Sequence, residues 1–97
     1  MAMHNPPHPG NFITDIYLEP IGINGWELAE KLDAAASTLR RILKGTRRVP
    51  LEMSLRLSKA IGRSPKSWLA MQDTHDLWVA RQHVDLQRVG KHKLGAA

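Results

Sequence analysis

The sequence predicts an all-α fold, five short helices forming one domain with a short basic tail behind it. Three observations predict it. Apolar residues recur at helical spacing in five separate stretches, each stretch is bounded by capping or breaking residues, and no run alternates with the period of a strand. A chain of 97 residues can bury one modest core and not two.

Taken in order, residues 1–8 are a Pro-rich leader expected to be flexible, residues 9–83 the helical domain, and residues 84–97 the basic tail. Pro9 suits the first turn of a helix running to about Leu18. Phe12, Ile13, Ile16 and Tyr17 share one face of it, Asp15 and Glu19 another, and Pro20 with Gly22 should break it. Asn24, followed three residues later by Glu27, is a capping pair for a second helix with Leu28, Ala29 and Leu32 as its inner stripe. Asp33 and Ala34 must supply the next turn. The third helix has Ser37 and Thr38 near its start, buries Leu39, Ile42 and Leu43, and stops at Gly45. The fourth begins near Pro50, turns Met53, Leu57, Ala60 and Ile61 inward, and ends at Gly62. Ser64 caps the fifth, Pro65 takes its first turn, and Trp68, Met71, His75, Trp78 and Val79 line one side.

Charge is distributed unevenly behind the formal total of +5. Residues 1–33 carry five acids against Lys31 alone, a net of −4, and residues 34–97 carry thirteen bases against four acids, a net of +9. A basic end suits nucleic acid or an anionic surface, and an acidic end suits water or a basic protein. The stretch "ASTLRRILKGTRRVP", residues 36–50, holds five cations and no acid. At about 100° per residue its Ser37, Arg40, Arg41 and Lys44 lie opposite the buried Leu39, Ile42 and Leu43.

Leu28, Ala29 and Leu32, a tight turn, then Leu39 and Ile42 make the apolar skeleton of a helix-turn-helix, in which small Ala29 allows a close crossing. That geometry would lay the third helix in the major groove of double-stranded DNA. Ser37, Arg40 and Arg41 are the candidates for base edges, with Thr38 beside them, and Lys44, Arg47 and Arg48 for phosphate. A bundle whose charged face meets only water, or a protein-interaction module with an incidental basic face, stays open on this pattern alone. One recognition helix reads few base pairs, so a homodimer on a palindromic operator is expected, with Leu51 and Leu55, off the main stripe of the fourth helix, at its interface.

Other chemistry finds little support. No stretch has the length and apolarity to cross a bilayer, the opening residues lack the order of a secretory signal, and a cytoplasmic location follows. Without cysteine there is no disulfide or thiol chemistry. The five histidines lack metal-ligand spacing and the serines lack a nucleophile elbow, so neither a metal, a cofactor nor an enzyme is expected. Trp26 falls off the apolar stripe of the second helix and is available to a partner.

"HPGNFITDIYLEPIGI", "LAEKLDAAASTLRRILKGTRRV" and "LRLSKAIGRSPKSWLAMQDTHDLW" resemble, in order and spacing, the HigA-type antitoxins with a lambda-repressor-like helix-turn-helix. The resemblance covers about residues 8–81, and "SPKSWL" followed by "Q" and "DLW" is its most specific part. Asp33 stands where a turn glycine is usual. Membership would imply a homodimer that represses its own operon and neutralises a HigB-type, mRNA-cleaving toxin; a solitary regulator of the same fold is the alternative. Given such a toxin, the exposed acidic pair Asp15 and Glu19 is the candidate surface for it, since the positive side should be occupied by DNA.

Overall fold

Five helices and no strand make up residues 5–92, the part of the chain that the computed structural model describes. α1 runs as α-helix over Pro9–Ile13, widens to a π-helical stretch over Thr14–Leu18 and closes as α-helix over Glu19–Ile21. α2 spans Gly25–Leu32, α3 Ala36–Leu43, α4 Leu51–Ile61 and α5 Pro65–Arg81. α2 packs on α3, α4 packs on α2 and α5, and α1 crosses both α3 and α5. Ile13, Leu28, Leu39, Ile42, Leu57 and Trp68, contributed by all five helices, meet in the centre with no exposed surface. Burying each such side chain contributes about 1.5–3 kcal/mol before conformational entropy is set against it.

Most helix ends follow the residues expected to make them. Asn24 Oδ1 accepts the Glu27 N–H at 2.9 Å and Glu27 Oε1 accepts the Asn24 N–H at 3.4 Å, a complete capping box. Ser64 Oγ accepts the Ser67 N–H at 3.1 Å to open α5. Pro50 precedes α4, and Gly45 and Gly62 take positive φ after α3 and α4.

Pro20 does not break α1, contrary to its reading as a stop. A proline inside an α-helix removes the bond to the carbonyl four residues back, and its ring collides with that oxygen. Here the preceding turn is already wide, with the Glu19 N–H bonded to Thr14 O five residues back. The helix therefore passes through Pro20 and ends at Gly22, whose φ is 80°. The wide turn also changes which residues stack: Leu18 is buried over Ile13, and Ile16, expected inside, is 51% exposed.

The end of the leader packs where it meets the domain. Pro6 and His8 are buried. His8 Nδ1 accepts the Gly10 N–H at 2.9 Å and so caps α1, and its ring meets that of His75 edge-on with centroids 5.2 Å apart. His75 Nδ1 in turn lies 2.9 Å from Pro6 O. Burial, and then the neighbouring His75, hold the His8 imidazole below its ordinary pKa, which favours the neutral ring that capping requires. Residues 1–4, His4 among them, and 93–97 of the tail lie outside the described residues.

Two inner stripes also differ from expectation. On α4, Met53 and Leu57 are buried and Ile61 half-buried, but Ala60 is exposed at the rim of a hollow beside Leu32, Leu55 and Lys59. On α5, Trp68 is buried, Met71, His75 and Trp78 are half-buried and Val79 is exposed, while Gln72 is the second fully buried residue.

Candidate nucleic-acid interface

The turn between α2 and α3 sets the angle of the exposed helix, and it rests on a conformation that glycine usually supplies. Asp33 adopts φ 53° and ψ 46°, the left-handed region. The turn closes with the Ala34 N–H on Ala29 O at 3.0 Å and the Asp33 N–H on Glu30 O at 3.1 Å. A side chain from α4 steadies it: Arg56 Nη1 donates to Leu32 O at 2.8 Å and to Asp33 O at 2.6 Å, and Glu52 accepts from Arg56 Nη2 at 2.6 Å. The carbonyls that α2 leaves without partners at its end are thus satisfied by a guanidinium.

α3 then buries Leu39 and Ile42 and turns Ser37, Arg40, Arg41 and Lys44 to solvent on its opposite face, as the spacing predicts. Its end is closed by the Thr46 N–H on Arg41 O and the Gly45 N–H on Ile42 O, both 3.0 Å, with Gly45 at φ 79°. The segment leaving α3 is pinned to α5. Buried Gln72 accepts the Val49 N–H at 2.8 Å through Oε1 and donates through Nε2 to Asp76 Oδ1 at 3.0 Å. Beneath α3, Gly10 brings the backbone of α1 against the carbonyl of Ile42 and the Cα of Leu43.

The proposed contact residues divide on this frame. Ser37, Arg40, Arg41, Lys44 and Arg47 are exposed, and among the described residues no carboxylate pairs with any of these four cations. Thr38 sits on the flank of α3, half-buried in a hollow it shares with Arg47 and Arg56, beside the front face and not on it. Arg48, expected at phosphate from the run of cations, is paired within the fold. Its Nη2 donates to Asp73 at 2.8 Å and its Nη1 to Asp76, so the fork holds the segment to α5, and the hydrogen bond it donates to Asp73, ahead of Coulomb attraction, raises its pKa further. Sequence spacing gave no sign of that pairing, because Asp73 and Asp76 lie a helix away.

Asp15 and Glu19 are exposed on α1, and Leu51 and Leu55 are 74% and 61% exposed on α4. Sequence reasoning missed Gly10, Arg56 and Gln72. None carries a signal in its own spacing, since a Gly after Pro reads as loop, and an Arg and a Gln on amphipathic helices read as surface. Among the described residues no three potential ligands come together as a metal site, and no helix is long and apolar enough to cross a membrane.

No protein-family model matches the chain. It is similar to Virulence-associated protein A of Dichelobacter nodosus, 40% identical over 82 residues that cover 84% of this chain and 80% of the relative. It is also similar to the HTH-type transcriptional regulator YddM of Escherichia coli strain K12, 36% identical over 89 residues covering 92% and 94%. Antitoxin HigA-1 of Vibrio cholerae is 30% identical over 76 residues, covering 78% of this chain and 71% of the relative. The chain belongs to the HigA-type antitoxins and helix-turn-helix regulators. Solved structures agree with that membership. The antitoxin GraA matches this HigA-type chain with a TM-score of 0.84 at 29% identity, covering 95% of this chain and 99% of that one. PA4674 of Pseudomonas aeruginosa, solved in complex with its 18 bp operator DNA, matches with a TM-score of 0.81 at 27% identity, covering 88% and 91%. The lambda-repressor-like, all-α architecture expected of a HigA-type chain is the one observed.

Proposed function

We propose that this protein represses its own operon by binding a palindromic DNA operator as a homodimer, and that it neutralises a HigB-type toxin. The observation that carries the DNA reading is the set of four cations, Arg40, Arg41, Lys44 and Arg47, that have no carboxylate partner among the described residues and stand on the exposed front and exit of a helix held by the Asp33 turn and Arg56. Charges that stay unpaired within a fold which pairs Arg48 and Arg56 are available to phosphate and guanine. The operator complex of the Pseudomonas aeruginosa relative supports this reading.

Ser37, Arg40 and Arg41 then face base edges, Lys44 and Arg47 hold phosphate, and Thr38 borders the contact. Arg41→Ala should cost about 1–3 kcal/mol on the operator and relax its specificity. Arg47→Ala should weaken all sequences alike and reduce the salt slope by about one phosphate's worth, while Arg48→Ala should leave that slope in place. Titration of a labelled operator at several salt concentrations measures all three. Equal flattening by Arg48→Ala would return that residue to the phosphate contacts, and no effect from Arg41→Ala would remove the base-edge assignment.

For the homodimer, Leu51 and Leu55 supply adjacent exposed apolar surface one turn apart on α4. For the toxin, Asp15 and Glu19 supply the acidic surface on the negative part of the chain. Asp15→Lys with Glu19→Lys should slow association with a basic toxin and make it less salt-dependent, with operator affinity kept or slightly raised. Stopped-flow association at low salt checks it, and a wild-type rate would move the toxin surface elsewhere. The relatives named only as transcriptional regulators support a second reading, a regulator without a toxin.

A further inference from the structure

Trp26 is a large apolar side chain left 70% exposed at the start of α2, where it forms the common wall of two hollows. One hollow, about 480 Å³, is completed by Gly25, Ala36, Ser37, Arg40 and Leu43. The other is completed by Ala29, Glu30, Asp33 and the small residues of the turn. Gly25 lies close against α3: a Cβ there would stand 3.0 Å from Leu43 Cδ1, so the start of α2 rests on α3 and carries the indole to the edge of its front face.

The two sides of the indole differ in charge. Arg40 stands on one side and Glu30 with Asp33 on the other, so a polyanion is drawn to the side that already holds Ser37 and Arg40. An indole brings neither a positive charge nor an acceptor; it brings apolar area and one N–H donor. The major groove offers an apolar partner of its own, the thymine methyl, and the sugar edge offers another. A protein docked in this hollow would cover Ser37 and Arg40 and displace DNA.

We propose that Trp26 is a DNA-contacting residue that lays its indole against the apolar rim of the operator, thymine methyl or deoxyribose, beside the bases facing α3. The inference rests on the DNA-binding reading above and extends the contact surface from α3 to α2. It makes Trp26 a source of affinity that salt does not screen, in contrast to Arg40 and Lys44.

The test uses a duplex selected from a random-sequence pool by the wild-type protein. Trp26→Ala should bind that duplex about tenfold more weakly with an unchanged salt slope and an unchanged melting temperature, and Trp26→Phe should keep most of the affinity. Acrylamide quenching follows the indole itself: its exposed component, defined by the difference between wild type and Trp26→Phe, should be lost when the duplex binds. Replacing thymidine by deoxyuridine at the half-site edge separates the two contacts, since a loss seen in wild type and absent in Trp26→Ala identifies the methyl, and no loss identifies the sugar. Selected duplex bound equally well by Trp26→Ala, with the indole still open to acrylamide, overturns the role of Trp26 and leaves the DNA reading standing. A pool from which the wild type enriches no sequence overturns both.

Discussion

Gly10→Ala is expected to destabilise the fold by about 3 kcal/mol or more, a fall in melting temperature of well over roughly 10 °C for a domain of this size. A Cβ on Gly10 would stand 2.0 Å from the Ile42 carbonyl oxygen and 2.8 Å from the Leu43 Cα. These are backbone atoms of α3, so no side-chain rotamer can relieve the clash, and α1 must move off the helix it crosses. Elsewhere in a helix the same exchange is favourable, because alanine has the better propensity. The contact therefore outweighs an intrinsic gain of about 1 kcal/mol in the other direction. Since the displaced atoms belong to the end of α3, operator affinity should fall together with stability. Thermal unfolding by circular dichroism measures the first, and a melting temperature equal to wild type would mean that α1 and α3 do not approach this closely.

Trp68→Ala should be of similar or larger size, on the order of 3–5 kcal/mol. Trp68 has no exposed surface, its ring meets Phe12 edge-on at 5.8 Å, and its Nε1 donates to Gly62 O at 3.0 Å where α4 ends. Arg63, at positive φ, lies over both rings with its guanidinium 5.1 Å from Phe12 and 5.8 Å from Trp68. Truncation would leave a cavity between α1, α4 and α5 and free a carbonyl that caps the bend between the last two helices. Trp68→Phe separates the two contributions, because it keeps most of the volume and loses the donor. It should cost about 1–2 kcal/mol, read from denaturant unfolding, and a loss as large as that of the alanine variant would assign the main role to the hydrogen bond.

How far the sequence could be read depended on the range of the interaction responsible. Helix ends made by residues three or four apart were legible: the Asn24–Glu27 box, the Ser64 cap and the Gly45 stop are local hydrogen bonds encoded by local spacing. The two faces of α3 were legible for the same reason, since a period of 3.6 residues separates Leu39 and Ile42 from Arg40 and Arg41 in any straight helix. The same rule failed at Ile16, because the turn it occupies is not α-helical, and at Ala60, because it lies at the rim of an open hollow between α2 and α4.

By itself, then, the sequence determined five amphipathic helices, the caps of α2 and α5, the helix-turn-helix at α2 and α3, and a basic face opposite an apolar one. These follow from propensity, periodicity and capping, each of which acts within about one helical turn. Only the tertiary structure decided which charges remain available and how α3 is held. Arg48 and Arg47 are neighbours of the same type in one run, yet Arg48 is paired by Asp73 and Asp76 of α5 and Arg47 pairs with no carboxylate among the described residues. Arg56 braces the turn at Asp33 from 23 residues away, Gln72 holds Val49 across the same separation, and Gly10 is a contact surface because α1 crosses α3 there. The physical reason is that an ion pair, a buried amide or a backbone contact between helices depends on where two distant elements meet, and pattern within either element carries no information about that position.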